Sequence, residues 1–425
     1  MKDIVSLQDG PNDISEELSS FFGNHEALHK GWLRELHSLA EPSFEEYETS
    51  KFVISVLERY CPSLDVTTPF PLSPTAVIAY IEPSETLELS KPILLRADMD
   101  ALRMKGAPTD PPRKNDDYHH GCGHDGHTTC LLAVAHCLHE LRHLCKRKVV
   151  LFFQPAEESG MPLKGGSGAR VALDHGLLET IHPDVSAVYA LHCWPPLRVG
   201  QVGIGDGPMM GTGTTFSIMI EGTGGHAATP GPDRSEPLLA ACSLVCNGQS
   251  IVARGLSPFT SSTLAFTAVE NVESRSLNVC PRKVSVQGII RALDAEVKKT
   301  VFAQLCQIGK SIAEAYGCQV VISSREGYPA TINSRDGASS AKEAARRAGL
   351  IVFDVGEGPS MVKPSLCAED FSMLLIKRPG AYVWLGNGGS AGLHTSSLRF
   401  NENAVAKGAK FFAELALGRN CTEQH

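Results

Sequence analysis

Several apolar runs in this chain end in side chains that bind cations or carry protons. PILLRAD (92–98) leads into Asp98 and Asp100, VVLFFQPAEE (149–158) into Glu157 and Glu158, and SAVYALH (186–192) into His192; AYVWLG (381–386) is followed eight residues later by His394. The segment HHGCGHDGH adds His119, His120, Cys122, His124, Asp125 and His127. Taken singly these are weak signals. A lone histidine at a strand end is usually satisfied by ordinary hydrogen bonds, paired glutamates usually edge a solvated face, and a lone cysteine is usually an inert thiol. Their combination points to metal binding, because Glu157 and Glu158 follow an apolar strand and Pro155, where no solvated helix face is available. Mixed nitrogen, oxygen and sulfur donors suit zinc, or manganese and other borderline divalent ions.

These donors need elements to carry them. Residues 26–39 and 44–60 have apolar positions at helical spacing (Leu28, Trp32, Leu36 and Leu39; Phe52, Val53, Val56 and Leu57), with Pro42 between them. TAVIAYI (75–81), PILLRAD, KVVLFFQ (148–154) and VSAVYALH (185–192) read as strands, and helices are expected over 127–144 and 168–178. Strand alternating with helix predicts an α/β fold with a mostly parallel central sheet, and ligands in such sheets gather outside the carboxyl ends of the strands. GIGDGPMMGTGTT (203–215) is glycine-rich and reads as a hinge. Beyond it, strands at 215–222, 262–272, 283–293 and 318–326 and helices at 236–255 and 295–317 follow the order β-α-β-β-α-β. The expected organisation is a catalytic domain over 1–210, an inserted ferredoxin-like lid over 211–326, and the catalytic domain resumed over 327–425, with a helix at 336–348, the strand AYVWLG and a helix at 402–417.

Composition narrows the function. The chain has 425 residues, with 39 Lys+Arg against 47 Asp+Glu and a net charge of −8, and it has no long basic run of the kind a nucleic-acid backbone requires. Nucleic acid is not an expected partner. No stretch approaches the roughly 18 apolar residues of a membrane span, so no membrane partner is expected. Thirteen scattered cysteines and the absence of an apolar leader in the first twenty-five residues predict a reducing compartment, the cytoplasm.

LLRADMDAL, HHGCGHDGHTTCLL, LFFQPAEE, GGSGARVALDHGLL, AVYALHCWPPLRVGQVGI, GTGGHAATP, NVCP, AEDFSMLL and PGAYVWLGNG…LH resemble, in order and spacing, the metal-dependent amidohydrolases and carboxypeptidases that include aminoacylases, hippurate hydrolases and auxin-conjugate hydrolases. The likeness runs over about residues 30–418 and implies a metallopeptidase-like catalytic domain with a lid that often forms a homodimer interface. It implies two divalent ions, zinc or manganese with cobalt as a further possibility, held by Cys122, His124, Glu158, His192 and His394, with Cys122 bridging. Glu157 matches the general base, and Asp98 and Asp100 match residues that orient ligands, Asp100 being counted with the catalytic set. His226 matches a residue that stabilises the tetrahedral oxyanion, and Asn278 one that contacts the substrate carboxylate. Glu369 and Asp370 match an acidic pair that supports the site.

The implied activity is hydrolysis of an N-acyl amino acid or small peptide-like conjugate at its amide bond. A non-catalytic metal or ligand carrier on the same scaffold is the alternative, and the presence of Glu157 weighs against it. A serine hydrolase built on GGSAG (388–392) is disfavoured, because no helix follows Ser390 directly. The chain departs from its relatives in the basic, proline-rich loop 103–118, in Thr395 where a second histidine is common, and in the insertion SGMPLK after the glutamates.

Overall fold

A computed structural model describes residues 11–67, 73–83, 90–109, 112–159, 166–229, 231–273, 276–356, 362–389 and 391–418; Ser390 and most of SGMPLK lie outside them. Along the chain come α1 (Pro11–Asn24), α2 (Glu26–Leu39), α3 (Tyr47–Tyr60), β1 (Asp65–Thr67), β2 (Val77–Ile81), β3 (Ser90–Asp98), α4 (His124–Glu140), β4 (Arg147–Gln154), α5 (Gly168–Asp174), β5 (Ala187–Trp194), β6 (Gln201–Ile204) and β7 (Gly207–Met210). Then follow β8 (Thr212–Glu221), β9 (Gly225–His226), α6 (Pro237–Arg254), β10 (Ser262–Asn271), β11 (Val279–Cys280), β12 (Lys283–Ala292), α7 (Ala295–Ala315) and β13 (Gln319–Glu326). The chain closes with β14 (Thr331–Asn333), α8 (Arg335–Arg347), β15 (Ile351–Asp354), α9 (Ser372–Lys377), β16 (Gly380–Gly386) and α10 (Glu402–Leu417). Two compact units result, one of Met1–Met209, Ile332–Lys363 and Asp370–His425, the other of Met210–Thr331 and Pro364–Glu369.

The first unit is built on an eight-stranded sheet in the order β1-β2-β4-β3-β5-β16-β6-β15. Its centre, β4-β3-β5-β16, is parallel, and antiparallel pairs join β1 to β2, β2 to β4 and β16 to β6. The continuous apolar runs VIAYI and VVLFF are buried throughout, as expected of strands covered on both faces. Every residue of α4 from His124 to Leu138 is buried, so it is a core helix with no wet face. Fully burying Leu131 and Leu132 contributes about 1.5–3 kcal/mol each.

Two differences from the sequence reading stand out here. Helix α1 was not anticipated, yet Ile14, Leu18, Phe21 and Phe22 share one face at helical spacing, and the last three are buried in the main core. The glycine-rich 203–215 contains strands rather than a simple hinge: β6 runs through Gly203, where a Cβ would come within 3.2 Å of the Trp384 ring. Close packing explains that glycine, not chain flexibility.

The second unit carries a four-stranded antiparallel sheet in the order β10-β12-β8-β13. Phe216, Ile218 and Ile220 alternate inward along β8 and join Leu264, Val284, Val286 and Ile290 in a core closed by Leu244 and Ile251 of α6 and Val301 and Leu305 of α7. Asp294 caps α7 by accepting hydrogen bonds from the Glu296 and Val297 amides. Pro364–Glu369 joins this unit by an excursion that chain order does not reveal: the Gly211 amide donates to the Cys367 carbonyl at 2.7 Å.

Candidate metal centre

Strand β3 ends at Asp98 inside a buried network. Arg96, fully buried, donates to Asp98 Oδ2 at 2.6 Å, to Asp370 Oδ1 at 2.8 Å and to Gln154 Oε1 at 2.9 Å. Asp98 Oδ1 lies 2.6 Å from His127 Nδ1, and His127 Nε2 accepts from the Cys193 amide at 2.8 Å. That acceptance fixes the proton of His127 on Nδ1, facing the carboxylate.

The loop before α4 turns into the helix at Gly123, whose φ of 86° falls in the left-handed region that favours glycine. A Cβ there would also come within 2.6 Å of Cys193 Sγ, and one on Gly126 within 1.9 Å of the Phe400 ring. The helix begins at His124, three residues before the expected start. Cys122 therefore precedes its N-terminal turn while His124, Asp125 and His127 lie within it. Asp125 accepts from His37 Nδ1 at 2.6 Å, and its negative charge sits favourably at the positive end of the helix dipole.

Two further backbone positions at the cluster are strained. Ala156 has φ 56° and His394 has φ 59°, both unusual for residues with a Cβ. The first turns the chain after β4 at the point where Glu157 and Glu158 emerge, held by the Ala156 amide donating to Glu46 Oε1 at 2.8 Å. The second is held by the His394 amide donating to the Gly121 carbonyl at 2.7 Å.

Cys122 lies at the middle of the arrangement. Its Sγ is 3.3 Å from His192 Nε2 and 3.3 Å from His394 Nε2, and His394 Nε2 is 3.3 Å from Glu158 Oε1. Donor atoms of Cys122, His124 and His192 lie within 4.8 Å of one another, as do those of Cys122, Glu158 and His394, and those of His124, Glu157 and Glu158. Two three-donor sets thus share one sulfur. Asp100 is 1% exposed and serves two of these residues: its Oδ1 lies 3.1 Å from His124 Nδ1, and its Oδ2 accepts from the Glu158 amide at 2.9 Å and from Ser43 Oγ at 2.6 Å. With Nδ1 of His124 spent on Asp100, Nε2 is left for a ligand.

His226 and Asn278 belong to the second unit, where they neighbour each other and are exposed. His226 pairs with Val279 on the short β9–β11 ladder, and the Ala227 amide donates to the Asn278 carbonyl at 2.9 Å.

The charges favour a cation. Burial would raise the Asp98 carboxyl, but His124, Arg96 and His127 hold it well below the usual range. Burial would lower His124, but Asp98, Asp100 and Glu158 hold its imidazolium up to about 10. Burial, then the charge of Glu158, pushes the Cys122 thiol well above its ordinary value, so a thiolate there needs a compensating cation. His192 is kept neutral by burial and by His127, the form in which an imidazole binds metal. His124 Nε2 is buried with no hydrogen-bond partner, and Glu158 Oε1 makes no hydrogen bond, having only the ion-pair contact with His394 Nε2 at 3.3 Å. Buried polar atoms are costly in that state, and a divalent ion would satisfy both.

Several supporting residues escaped the sequence reading. Glu46, fully buried, accepts from the Ala156 and Phe44 amides and from Thr75 Oγ1. Burial, then the neighbouring charge of Asp100, raises its carboxyl to about 8. Arg96 offered a usable signal, since an arginine inside an apolar strand must find buried partners; Glu46, in an acidic connection between two helices, offered none. Asp370 accepts from Arg96, from Gln154 Nε2 at 2.9 Å and from the Ala169 amide at 3.0 Å, while its own amide reaches Glu157 Oε1 at 3.4 Å. It supports the site and is no member of the donor sets above.

The family profile of peptidase family M20/M25/M40 matches residues 94–418, and the chain belongs to this family. It is similar to the N-acetylcysteine deacetylase of Bacillus subtilis, at 33% identity over 386 residues covering 90% of this chain and 94% of that one. It is also similar to the hippurate hydrolase of Campylobacter jejuni, at 30% identity over 384 residues, 90% of this chain and 94% of the other. Among solved structures, the Bacillus subtilis YXEP protein, described as a dinuclear metal binding peptidase from the M20 family, superimposes with a TM-score of 0.77 at 29% identity, over 94% of this chain and 98% of that one.

Proposed function

We propose that this protein is a metal-dependent amidohydrolase that cleaves the amide bond of an N-acyl amino acid or a small peptide-like conjugate, releasing a carboxylic acid and a free amino acid. The observation that carries this reading is the pair of three-donor sets sharing Cys122 beside Glu157. Relatives named for deacetylation of N-acetylcysteine and hydrolysis of hippurate support the substrate class.

Cys122, His124, Glu158, His192 and His394 would hold two divalent cations, zinc or manganese, with cobalt as a substitute. Such a pair supplies Lewis acidity at the amide carbonyl and lowers the pKa of water. Glu157 then takes the water's proton and passes it to the departing amine nitrogen. The Asp370 amide near Glu157 Oε1 limits where that carboxylate can swing. Asp100 orients His124 and the Glu158 backbone, which makes it a positioning residue. His226 stabilises the tetrahedral oxyanion and Asn278 binds the substrate carboxylate, roles that rest on their motifs GTGGHAATP and NVCP.

Pairing of two copies through the 211–326 lid belongs to the same proposal, and light scattering of the purified protein tests it. So does action in the cytoplasm, a reading supported by the free state of all twelve described cysteines. Among the described residues no helix is long and apolar enough to cross a membrane.

The test is turnover of N-acetyl and N-benzoyl amino acids by wild type and Glu157→Gln, with metal content measured alongside. Glu157→Gln is expected to keep its ions and to lose about 10²–10⁴-fold in kcat. Near-wild-type turnover with metal still bound would overturn the mechanism.

A further inference from the structure

A second group of metal-competent side chains lies apart from Cys122 and takes no part in the chemistry above. His25 sits at the junction of α1 and α2, His29 one helical turn later on the same face, and His136 projects from the penultimate turn of α4. His29 Nε2 is 3.3 Å from His136 Nδ1. The ring centres are 4.7 Å apart for His25 and His136, 5.6 Å for His29 and His136, and 6.0 Å for His25 and His29. Around a tetrahedral zinc with bonds of about 2.0–2.1 Å, two ligand nitrogens stand about 3.3 Å apart and their ring centres about 5 Å apart. The His29–His136 nitrogen spacing matches that geometry, and the three ring-centre distances, from 4.7 to 6.0 Å, lie within about 1 Å of it.

The hydrogen bonding leaves the cluster with spare lone pairs. His25 Nδ1 donates to the Phe21 carbonyl at 2.9 Å, so its Nε2 carries the lone pair. His29 is 1% exposed; its Nδ1, buried without a hydrogen-bond partner, lies on the other edge of the ring from the Nε2 that faces His136, so Nε2 is the nitrogen placed to ligate. Phe21, Trp32 and Tyr60 pack around these rings. Three imidazoles in an apolar pocket satisfy one another poorly, and apolar residues of similar size would fill the space without orphaned nitrogens. Burial, helped by the other histidines, takes His29 down to about 3 and His136 to about 4, so both are neutral at pH 7 and able to ligate.

We propose that His25, His29 and His136 form a further cation site, separate from the Cys122 centre, for a divalent ion that favours imidazole: zinc, or copper or nickel, with water in the fourth position. No carboxylate belongs to the triad, which selects against calcium and magnesium. The ion would tie the α1–α2 junction to α4, a structural clasp.

The test uses the full chain dialysed against zinc, freed of loosely bound ions, and assayed for metal by elemental analysis. His25→Ala, at a half-buried position, is expected to hold one ion fewer than wild type, and His29→Gln and His136→Gln likewise, all three keeping amide hydrolysis. Equal metal content in wild type and His25→Ala overturns the proposal, and this comparison stands even if a buried variant fails to fold. A second measurement separates this site from the catalytic one. In a Cys122→Ser background zinc should still raise Tm, and adding His25→Ala should reduce the rise; an unchanged rise in the double variant would also refute the site.

Discussion

Asp100→Asn tests the assembly of the metal centre most directly. The Asp100 carboxylate holds three groups at once: His124 Nδ1 at 3.1 Å, the Glu158 amide at 2.9 Å and Ser43 Oγ at 2.6 Å. Burial opposes its ionisation, but these partners hold its carboxyl below the usual range, so the group is an anion in the fold. An asparagine keeps one oxygen. Turned one way, its NH₂ faces the Glu158 N–H and leaves that buried donor without an acceptor, at about 1–3 kcal/mol; turned the other way, it faces His124 Nδ1–H, which keeps the Asp100 backbone carbonyl at 2.9 Å. Loss of the negative charge weakens cation binding in the same direction. Disturbing a partner that orients a metal ligand typically costs 10–100-fold in affinity or activity, equivalent to about 1.4–2.7 kcal/mol. The assay is chelator-buffered zinc titration of wild type and variant, followed by kcat and KM at saturating zinc. Weaker zinc binding by at least tenfold is expected, with part of the kcat loss recovered at high zinc. Wild-type zinc affinity together with wild-type kcat would refute the claim that Asp100 organises His124 and Glu158.

Cys122→Ser removes the donor common to both three-donor sets, so elemental analysis should find fewer bound ions and turnover should fall with them; retention of both ions at full rate would contradict the shared-sulfur arrangement. Arg96→Met takes from buried Asp98 and Asp370 the guanidinium they share, a cost of about 3–5 kcal/mol and a fall in Tm of about 3–6 °C, measurable by calorimetry on the metal-free protein. His182 is 5% exposed, 3.3 Å from the Tyr80 hydroxyl, and lowered by burial and by Lys148. The unfolded chain therefore binds more protons than the fold once pH drops below about 6.5, and stability is lost in that direction. His182→Gln should flatten the decline of Tm between pH 7 and pH 5; an unchanged slope would show that His182 does not contribute to it.

Much of this architecture is written locally. The apolar alternation of β8, the continuous runs of β2 and β4 and the helical spacing of α2 and α10 are short-range patterns, and each marks an element close to where it occurs. Helix α1 is equally legible in the helical spacing of Leu18, Phe21 and Phe22. The apolar spacing marks α4 only from residue 127, whereas the positive φ of Gly123 turns the chain into the helix at His124.

Residue types and their places after strand ends pointed to metal binding, since the carboxyl ends of parallel strands open on one edge of the sheet, while the five-residue ligand set was what the resemblance to the amidohydrolases implied. What only the tertiary structure decided is which atoms meet. Cys122 lies between His192 and His394, which are 70 and 272 residues away along the chain. Glu46 holds the Ala156 turn across 110 residues, and Arg96 reaches Asp370 across 274. Sequence periodicity records which face of an element is buried, but a hydrogen bond between distant segments depends on strand order and register. That is why metal binding was readable in one dimension, while Arg96 and Glu46, which brace the site across distant segments, became visible only in three.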